Sequence, residues 1–213
     1  MREYKSTSLA DQVFDRLEND IIQGVYAKGE ILTELKLCEI LSVSRTPVRE
    51  ALKRLKQEKL IVESGKGAVV VGITEKDIDD IYNIRMRLEG LAAAMCCDNV
   101  TPSLITEMRN TLELQEFYIL KGNAENLRNL DTEFHQKIYD YCGSRVLSSI
   151  LSDLHRKVRH YRLTSMKKQS RADEVIAEHR AILEAIARGD RELAENLAAD
   201  HVKRAYLSIK TDE

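Results

Sequence analysis

The chain has 213 residues, 43% hydrophobic and 32% charged, which allows sizeable cores beneath a soluble surface in one or two domains. Two prolines and nine glycines leave few breaks, so long helices are expected. The absence of Trp and the 5% aromatic content argue against a carbohydrate-stacking or aromatic-cage module. The lack of an apolar leader or of a membrane-length apolar run predicts a cytoplasmic protein without membrane segments.

The first elements along the chain are two helices. Apolar residues at helical spacing predict a helix that stops at Gly24, and a second, shorter helix follows over about 33–41. The stripe of the first helix consists of Leu9, Val13, Leu17 and Ile21.

The segment 42–55, SVSRTPVREALKRL, predicts a third helix with a sharp start. Ser44 or Thr46 can cap the free backbone N–H groups, and Pro47 falls in the first turn, where its missing N–H costs little. Val48, Leu52 and Leu55 repeat at helical spacing and should face a core.

The opposite face of this third helix carries polar and basic groups at its leading end. Ser, Arg and Thr side chains in the first turn of an exposed helix suit docking into the major groove of DNA. The residues concerned are Ser44, Arg45, Thr46, Arg49 and Lys53.

Two β-prone runs, 60–63 and 68–71, come next and are separated by Ser64-Gly65-Lys66-Gly67. Glycines in so short a connection predict a β-hairpin. Three helices followed by a hairpin make a winged helix-turn-helix, with Lys66 at the wing tip, where it can approach DNA together with Gly67.

Charge is distributed unevenly along the chain. Residues 44–66 contain seven basic and three acidic side chains, a local charge of +4, so the remainder carries −6 of the total of −2. A basic segment on an otherwise acidic protein suits a DNA contact of limited area. From charge alone, a solvated helix face is the better explanation.

After Gly72 the sequence shows only helical periodicity. We predict an antiparallel, all-α bundle of about six helices over 73–213, a winged helix-turn-helix domain over 1–72, and therefore a mainly α fold. The expected helices span about 75–98, 102–121, 124–142, 145–168, 172–188 and 190–209. The four cysteines, Cys38, Cys96, Cys97 and Cys142, form no C-x-x-C pair and are expected to be buried thiols.

Four residues of the predicted bundle have the spacing of a metal site. Asp131 and His135 stand at i and i+4, on one face of a helix. A helical hairpin at Gly189-Asp190 would bring His179 and His201 level on adjacent helices. Three imidazoles and a carboxylate suit Zn²⁺ or another divalent first-row metal. From these residues alone, ordinary core or surface histidines are the better explanation of the pattern. His155 and His160 are expected at the surface or lining a pocket, and not as ligands.

Both halves of the chain resemble one family of proteins. Residues 8–72, with the run VSRTPVREAL at 43–52, look like the DNA-binding domain of GntR-superfamily transcriptional regulators. Residues 74–211 look like the FCD effector domain of the FadR-type branch. The pieces that carry this second likeness are IRMRLE at 84–89, DTEFH at 131–135, EHR at 178–180, and His201.

The resemblance implies a homodimer that binds a palindromic operator, most often as a repressor. It also implies that Asp131, His135, His179 and His201 hold a divalent metal, Zn²⁺ first, with Ni²⁺ or Mn²⁺ as alternatives. A small effector, frequently a carboxylate, would bind at or beside that metal.

The same resemblance assigns the effector-binding arginine of the first bundle helix to Arg85, whose guanidinium fork matches a carboxylate. A helix-surface ion pair with Glu89 explains Arg85 equally well. Arg159 and Arg162 are further candidates for the effector pocket.

The chain departs from the family pattern at three positions. Leu35 stands where many members carry Arg in the second helix, so one familiar DNA contact is missing. Ser42 replaces the usual Gly before Val43, and Lys28 replaces the usual Pro before Gly29.

The sequence therefore predicts a ligand-responsive regulator and not an enzyme. A metal-dependent hydrolase or lyase that carries a DNA-binding module is the alternative of another class, although no H-E-x-x-H motif or nucleophile elbow is present. In a third interpretation the regulator remains, and the metal is structural or is itself the signal.

Overall fold

The structure is a computed structural model that describes residues 8–158 and 169–210. It divides into two compact units, one up to Glu75 and one from Lys76. The boundary expected at Gly72-Ile73 lies a few residues before this division. The prediction of a mainly α fold with a winged helix-turn-helix and a helical C-terminal half is confirmed.

Over its described residues, from 8 onward, the first unit contains three helices and a three-stranded antiparallel sheet of order β1-β3-β2. The short strand β1 pairs Ile31 with Val69, a strand that the sequence analysis missed because two residues carry no alternation. In chain order the elements are α1 Leu9–Ile22, β1 Ile31–Leu32, α2 Glu34–Leu41, α3 Arg45–Gln57, β2 Ile61–Ser64 and β3 Gly67–Val70.

The predicted stripes form the core of this unit. Ser8 caps helix α1: its hydroxyl accepts from the Asp11 N–H, and the Asp11 carboxylate accepts from the Ser8 N–H. Its apolar face packs against α3 and the sheet. Residues that are almost fully buried there include Leu17, Leu32, Leu37, Val48 and Leu55.

The second unit is helical throughout its described residues. Its helices are α4 Glu75–Cys96, α5 Pro102–Leu120, α6 Ala124–Tyr141, α7 Arg145–Lys157, α8 Gln169–Ala187 and α9 Arg191–Lys210, with a 3-10 turn at Cys97–Asn99. Thr101, Asn123 and Ser144 cap α5, α6 and α7 at the predicted breaks. Helix α8 begins before the predicted start, and the predicted extension of α7 beyond 158 falls outside the described residues.

One close helix contact sets the position of α9 against α4. A Cβ built on Gly90 would lie 2.9 Å from the Glu195 carbonyl oxygen, so a side chain at this position would push the two helices apart. This contact matters because α4 and α9 both carry residues of the cluster described below.

Three of the four cysteines, Cys96, Cys97 and Cys142, are buried free thiols of this unit, as expected, and Cys38 is half-buried in the other unit. None of the described helices is long and apolar enough to span a membrane.

Candidate functional sites

The start of α3 presents the predicted polar face to solvent. Ser44, Arg45, Thr46, Arg49 and Lys53 are all exposed, while Val48, Ala51 and Leu55 anchor the opposite face in the core. The expected capping bond is wrong in detail, because Ser44 occupies the N-cap position without a side-chain hydrogen bond.

Arg49 is held by the preceding helix. Its Nε atom lies 2.9 Å from both carboxylate oxygens of Glu34 on α2. Lys56 reaches Glu63 of β2 at 2.6 Å. Between α3 and the wing lies an open groove of about 340 Å³ that Arg49 and Lys53 help to line. The helix-turn-helix and the wing thus share one groove, which is lined by Arg49, Lys53 and Lys56 together with Glu34 and Glu63.

The wing is a tight hairpin. Ser64 pairs with Gly67 across the two-residue turn Gly65-Lys66, and Lys66 is exposed at the tip as predicted. Gly67 has φ +138°, and a Cβ there would lie 2.7 Å from the Leu32 carbonyl oxygen of β1. A glycine is therefore required at 67 by the sheet itself, independently of any contact with DNA.

The second unit brings the four predicted metal-site residues together. Asp131 and His135 on α6, His179 on α8 and His201 on α9 are all at most 4% exposed. Ligand atoms of the three histidines lie within 4.8 Å of one another. Asp131 Oδ1 lies 3.8 Å from His179 Nε2. The hairpin at Gly189-Asp190 places the His179 and His201 rings 4.7 Å apart, between centroids.

Each histidine has an oxygen acceptor at Nδ1. Glu89 Oε2 lies 2.9 Å from His135 Nδ1, Glu178 Oε2 lies 2.7 Å from His201 Nδ1, and Gln115 Oε1 lies 3.3 Å from His179 Nδ1. An acceptor at Nδ1 favours the tautomer with its proton there and leaves the Nε2 lone pair for a metal.

These three acceptors were not predicted from the sequence. Glu89 stands at i+4 from Arg85, which suggested only an ion pair, and Glu178 is adjacent in sequence to one histidine but bonds to another. Gln115 gave no signal, because a lone glutamine inside a helix has no distinctive spacing. Only the packing of helices can reveal such partners.

Both acidic acceptors are themselves held by arginines. Arg85 Nη2 lies 2.6 Å from Glu89 Oε1, with both side chains at most 3% exposed. The ion pair considered from sequence therefore exists, but it is buried and not on a helix surface. Arg171 makes two contacts with Glu178, at 2.8 and 3.0 Å. Arg85 Nη1 has no hydrogen-bond partner among the described residues, whereas Arg159 and Arg162 lie outside them.

Electrostatics keeps His201 in the protonation state that a metal ligand requires. Burial, only partly offset by Glu178, lowers the pKa of His201 to about 4. Burial opposes ionisation of Glu178, but hydrogen bonds from His201 and Arg171 lower its pKa to about 2. At neutral pH the imidazole is therefore uncharged and its acceptor is a carboxylate.

The donor set fits a divalent first-row metal ion. Three oriented imidazoles and one carboxylate match the ligands of such ions. His135 Nε2 is buried and has no hydrogen-bond partner within residues 8–158 and 169–210, which is costly unless another group binds it.

His155 lies on α7 at 3% exposure, so the expected surface position is wrong, and the pocket-lining alternative stays a prediction. Its ring centroid lies 4.9 Å from that of His135. Burial lowers its pKa well below the usual range, and the nearby charge of Arg85 adds to this effect.

An exposed basic recognition helix beside a wing, together with a buried histidine cluster in a helical bundle, defines a winged-helix DNA-binding protein with a ligand-binding domain. Residues 9–71 match the family described as bacterial regulatory proteins, gntR family. Residues 80–204 match the FCD domain, the FadR-type C-terminal domain. The chain therefore belongs to the GntR family of transcriptional regulators, in the branch with an FCD domain.

Individual relatives agree with this assignment. The gluconate operon transcriptional repressor of Bacillus licheniformis is 33% identical over 81% of this chain and 73% of its own length. The HTH-type transcriptional regulator YdhC of Bacillus subtilis is 29% identical over 97% and 93%. The structure of McbR/YncC from Escherichia coli superposes with a TM-score of 0.80 at 27% identity, covering 97% of this chain and 99% of that one. These relatives are regulators, in agreement with the predicted class.

Proposed function

We propose that the protein is a ligand-responsive transcriptional repressor that binds a palindromic operator as a homodimer in the cytoplasm. The observation that carries this proposal is the exposed basic start of α3 beside the wing. The repressor of the gluconate operon among its relatives supports repression as the direction of control.

Each exposed group on this surface has a role in the proposal. Arg45 and Arg49 contact base edges or phosphates from the recognition helix, and Ser44, Thr46 and Lys53 contact phosphates. Lys66 contacts DNA from the wing tip, with the Gly67 backbone beside it. Ser44 occupies the N-cap position of α3, but its hydroxyl makes no capping hydrogen bond. This supports its proposed role as a phosphate contact.

In the second unit we place a divalent metal on Asp131, His135, His179 and His201. Zn²⁺ suits this donor set best, with Ni²⁺ or Mn²⁺ as alternatives. Such an ion supplies Lewis acidity that can anchor an anionic ligand. The chain's own contribution is to orient the imidazoles through Glu89, Gln115 and Glu178 and to exclude water by burial.

The effector in this proposal is a small carboxylate. Arg85, with its Nη1 free of partners among the described residues, is positioned to receive one carboxylate oxygen beside the histidines, and Arg159 and Arg162 are further candidates. The relative named for gluconate is named for a small carboxylate. Effector binding would change operator affinity through a coupling free energy of about 1–3 kcal/mol.

The DNA part is tested by fluorescence anisotropy of the full chain with duplexes from its own promoter region at moderate salt. Specific binding that Arg45→Ala weakens supports the proposal. Full operator affinity of Arg45→Ala contradicts the assignment of that residue.

The metal and effector parts are tested separately. Metal content after purification and after chelation shows whether the bundle binds an ion, and a thermal-shift screen of small carboxylates is run on both forms. If chelation lowers stability but leaves carboxylate affinity unchanged, the metal is structural. If no metal copurifies and none binds, the four-ligand assignment is wrong.

A further inference from the structure

A fourth buried histidine is unexplained by the four-ligand assignment. His155 enters the cluster from α7, a helix that contributes none of the four residues above. Its Nε2 atom is buried and finds no hydrogen-bond partner in the described part of the chain. A buried polar nitrogen without a partner costs free energy, so native structures rarely keep one without a reason.

The surroundings of His155 supply a reason. Asp131, His135 and His155 each offer a ligand atom, and these atoms lie within 4.8 Å of one another. The same limit describes the set His135, His179 and His201. The two sets share His135, and Asp131 links them through its 3.8 Å approach to His179.

Ring positions place His155 as near to the shared histidine as the other candidates are. The His135 centroid lies 4.9 Å from that of His155, 5.1 Å from that of His179 and 5.1 Å from that of His201. By distance to His135, His155 is equivalent to the predicted ligands, although its ligand atom groups with Asp131 and His135 and not with His179 and His201.

We propose that His155 is a fifth protein ligand of the metal ion, supplied by a fourth helix. This inference rests on the proposed metal binding of the bundle. Two donor atoms bound at about 2.1 Å to one ion lie roughly 3–4 Å apart. Ligand atoms within 4.8 Å of one another would therefore need only small side-chain movements for both sets to bind the same ion.

A fifth ligand changes the chemistry of the site. Four imidazoles with one carboxylate favour Zn²⁺, Ni²⁺ or Co²⁺ over Mn²⁺, which prefers oxygen ligands. On a six-coordinate ion only one position then stays open. A carboxylate effector would bind the ion through a single oxygen, and its second oxygen would be left for a protein donor.

The test counts coordinated histidines directly. The full chain, with ¹⁵N-labelled histidine, is stripped with chelator and loaded with Co²⁺. Imidazole N–H signals with the large downfield contact shifts of coordinated histidines are counted by NMR, and the smaller through-space shifts of nearby rings are left out of the count. We expect four shifted histidines in the wild type and three in His155→Phe. We also expect His155→Phe to weaken Co²⁺ binding in a chelator competition by at least about tenfold, as loss of even an outer partner does.

Packing effects are separated by a control on the same helix. Leu151→Val alters a fully buried residue one turn from His155 without removing a donor, and it should leave the count at four. Circular dichroism of the metal-free variants checks that the helices form, and His155→Gln provides a second variant if His155→Phe does not fold.

The outcomes distinguish the inference from the proposed function. A wild-type chain that binds no Co²⁺ or Zn²⁺ overturns both. A wild-type chain with three shifted histidines, and with unchanged affinity in His155→Phe, overturns only the fifth ligand.

Discussion

The Oε2 atom of Glu89 lies 2.9 Å from His135 Nδ1, and both side chains are at most 3% exposed. The other carboxylate oxygen of Glu89 receives Arg85. One carboxylate on α4 thus joins the proposed effector arginine to a proposed metal ligand on α6. An effector that binds Arg85 would therefore also alter the contacts of the Glu89 carboxylate, which orients His135.

Glu89→Gln tests this orienting role. The amide keeps an acceptor of similar size but loses the charge that favours the Nδ1–H tautomer. We expect metal affinity to fall by about 10–100-fold, as measured by chelator competition. Because Arg85 loses its buried counter-charge, the melting temperature of the metal-free protein should fall as well.

The control for this change is Glu133→Gln on α6. Glu133 accepts from Thr111 and pairs with Lys137, so the charge change is the same but lies outside the histidine contacts. Equal metal affinity in Glu89→Gln and Glu133→Gln would show that Glu89 does not position His135.

Arg49→Ala tests the DNA surface. We expect a loss of operator affinity of about tenfold or more, in the range of a lost base or phosphate contact. Thermal stability should change little, because the Arg49–Glu34 pair is exposed and such pairs contribute at most about 1 kcal/mol. Anisotropy titrations at two salt concentrations measure both the affinity and its salt dependence.

Arg16→Ala is the matched variant for Arg49→Ala. The Arg16 side chain is about as exposed as that of Arg49, and it pairs with the buried Asp20 on α1. If the two variants lose operator affinity to the same extent, the effect is one of total charge and Arg49 makes no specific contact.

Gly67→Ala tests the wing. The backbone at φ +138° and the 2.7 Å approach of Leu32 O should destabilise the first unit by about 1–3 kcal/mol. Gly65→Ala, in the same turn but with no atom within 4 Å of its Cβ, should be close to neutral. Urea denaturation followed by circular dichroism compares the two, and a similar loss in both would exclude the close approach as the cause.

Cysteine reactivity gives a prediction that depends on pH. Burial raises the pKa of the Cys96 thiol to about 12, so it stays protonated and unreactive as pH rises from 7 to 9. Half-buried Cys38 should react first with iodoacetamide at pH 8, as mapped by mass spectrometry. Under denaturing conditions both should react, and rapid labelling of Cys96 in the folded protein would contradict its burial.

Local patterns were sufficient to predict the helices and the hairpin. These predictions depend on short-range signals that packing of the first unit leaves unchanged. The signals are the apolar stripe from Leu9 to Ile21, Pro47 in the first turn of α3, and the glycines on either side of Lys66. The strand at Ile31 was missed, since two residues obtain their extended form from pairing with β3 and not from their own sequence.

The candidate cluster was predictable to the extent that helical geometry is regular. The i, i+4 spacing of Asp131 and His135, and the hairpin between His179 and His201, bring those residues together by arithmetic alone. Glu178 was not predictable, because it bonds to His201 on another helix. The position of His155 in the cluster was not predictable either, because the rotation of α7 against α6 decides whether this side chain faces the bundle or solvent.

The third strand, β1, has a consequence for how DNA is selected. It ends one residue before the Thr33 cap of α2 and pairs with β3, so the wing and the helix-turn-helix share one sheet. A DNA-binding domain built in this way cannot change the spacing between its recognition helix and its wing to suit an operator. We expect the domain to prefer operators whose grooves deform easily to match the fixed distance from α3 to Lys66. Such a preference selects DNA by its flexibility, at base pairs that no side chain contacts.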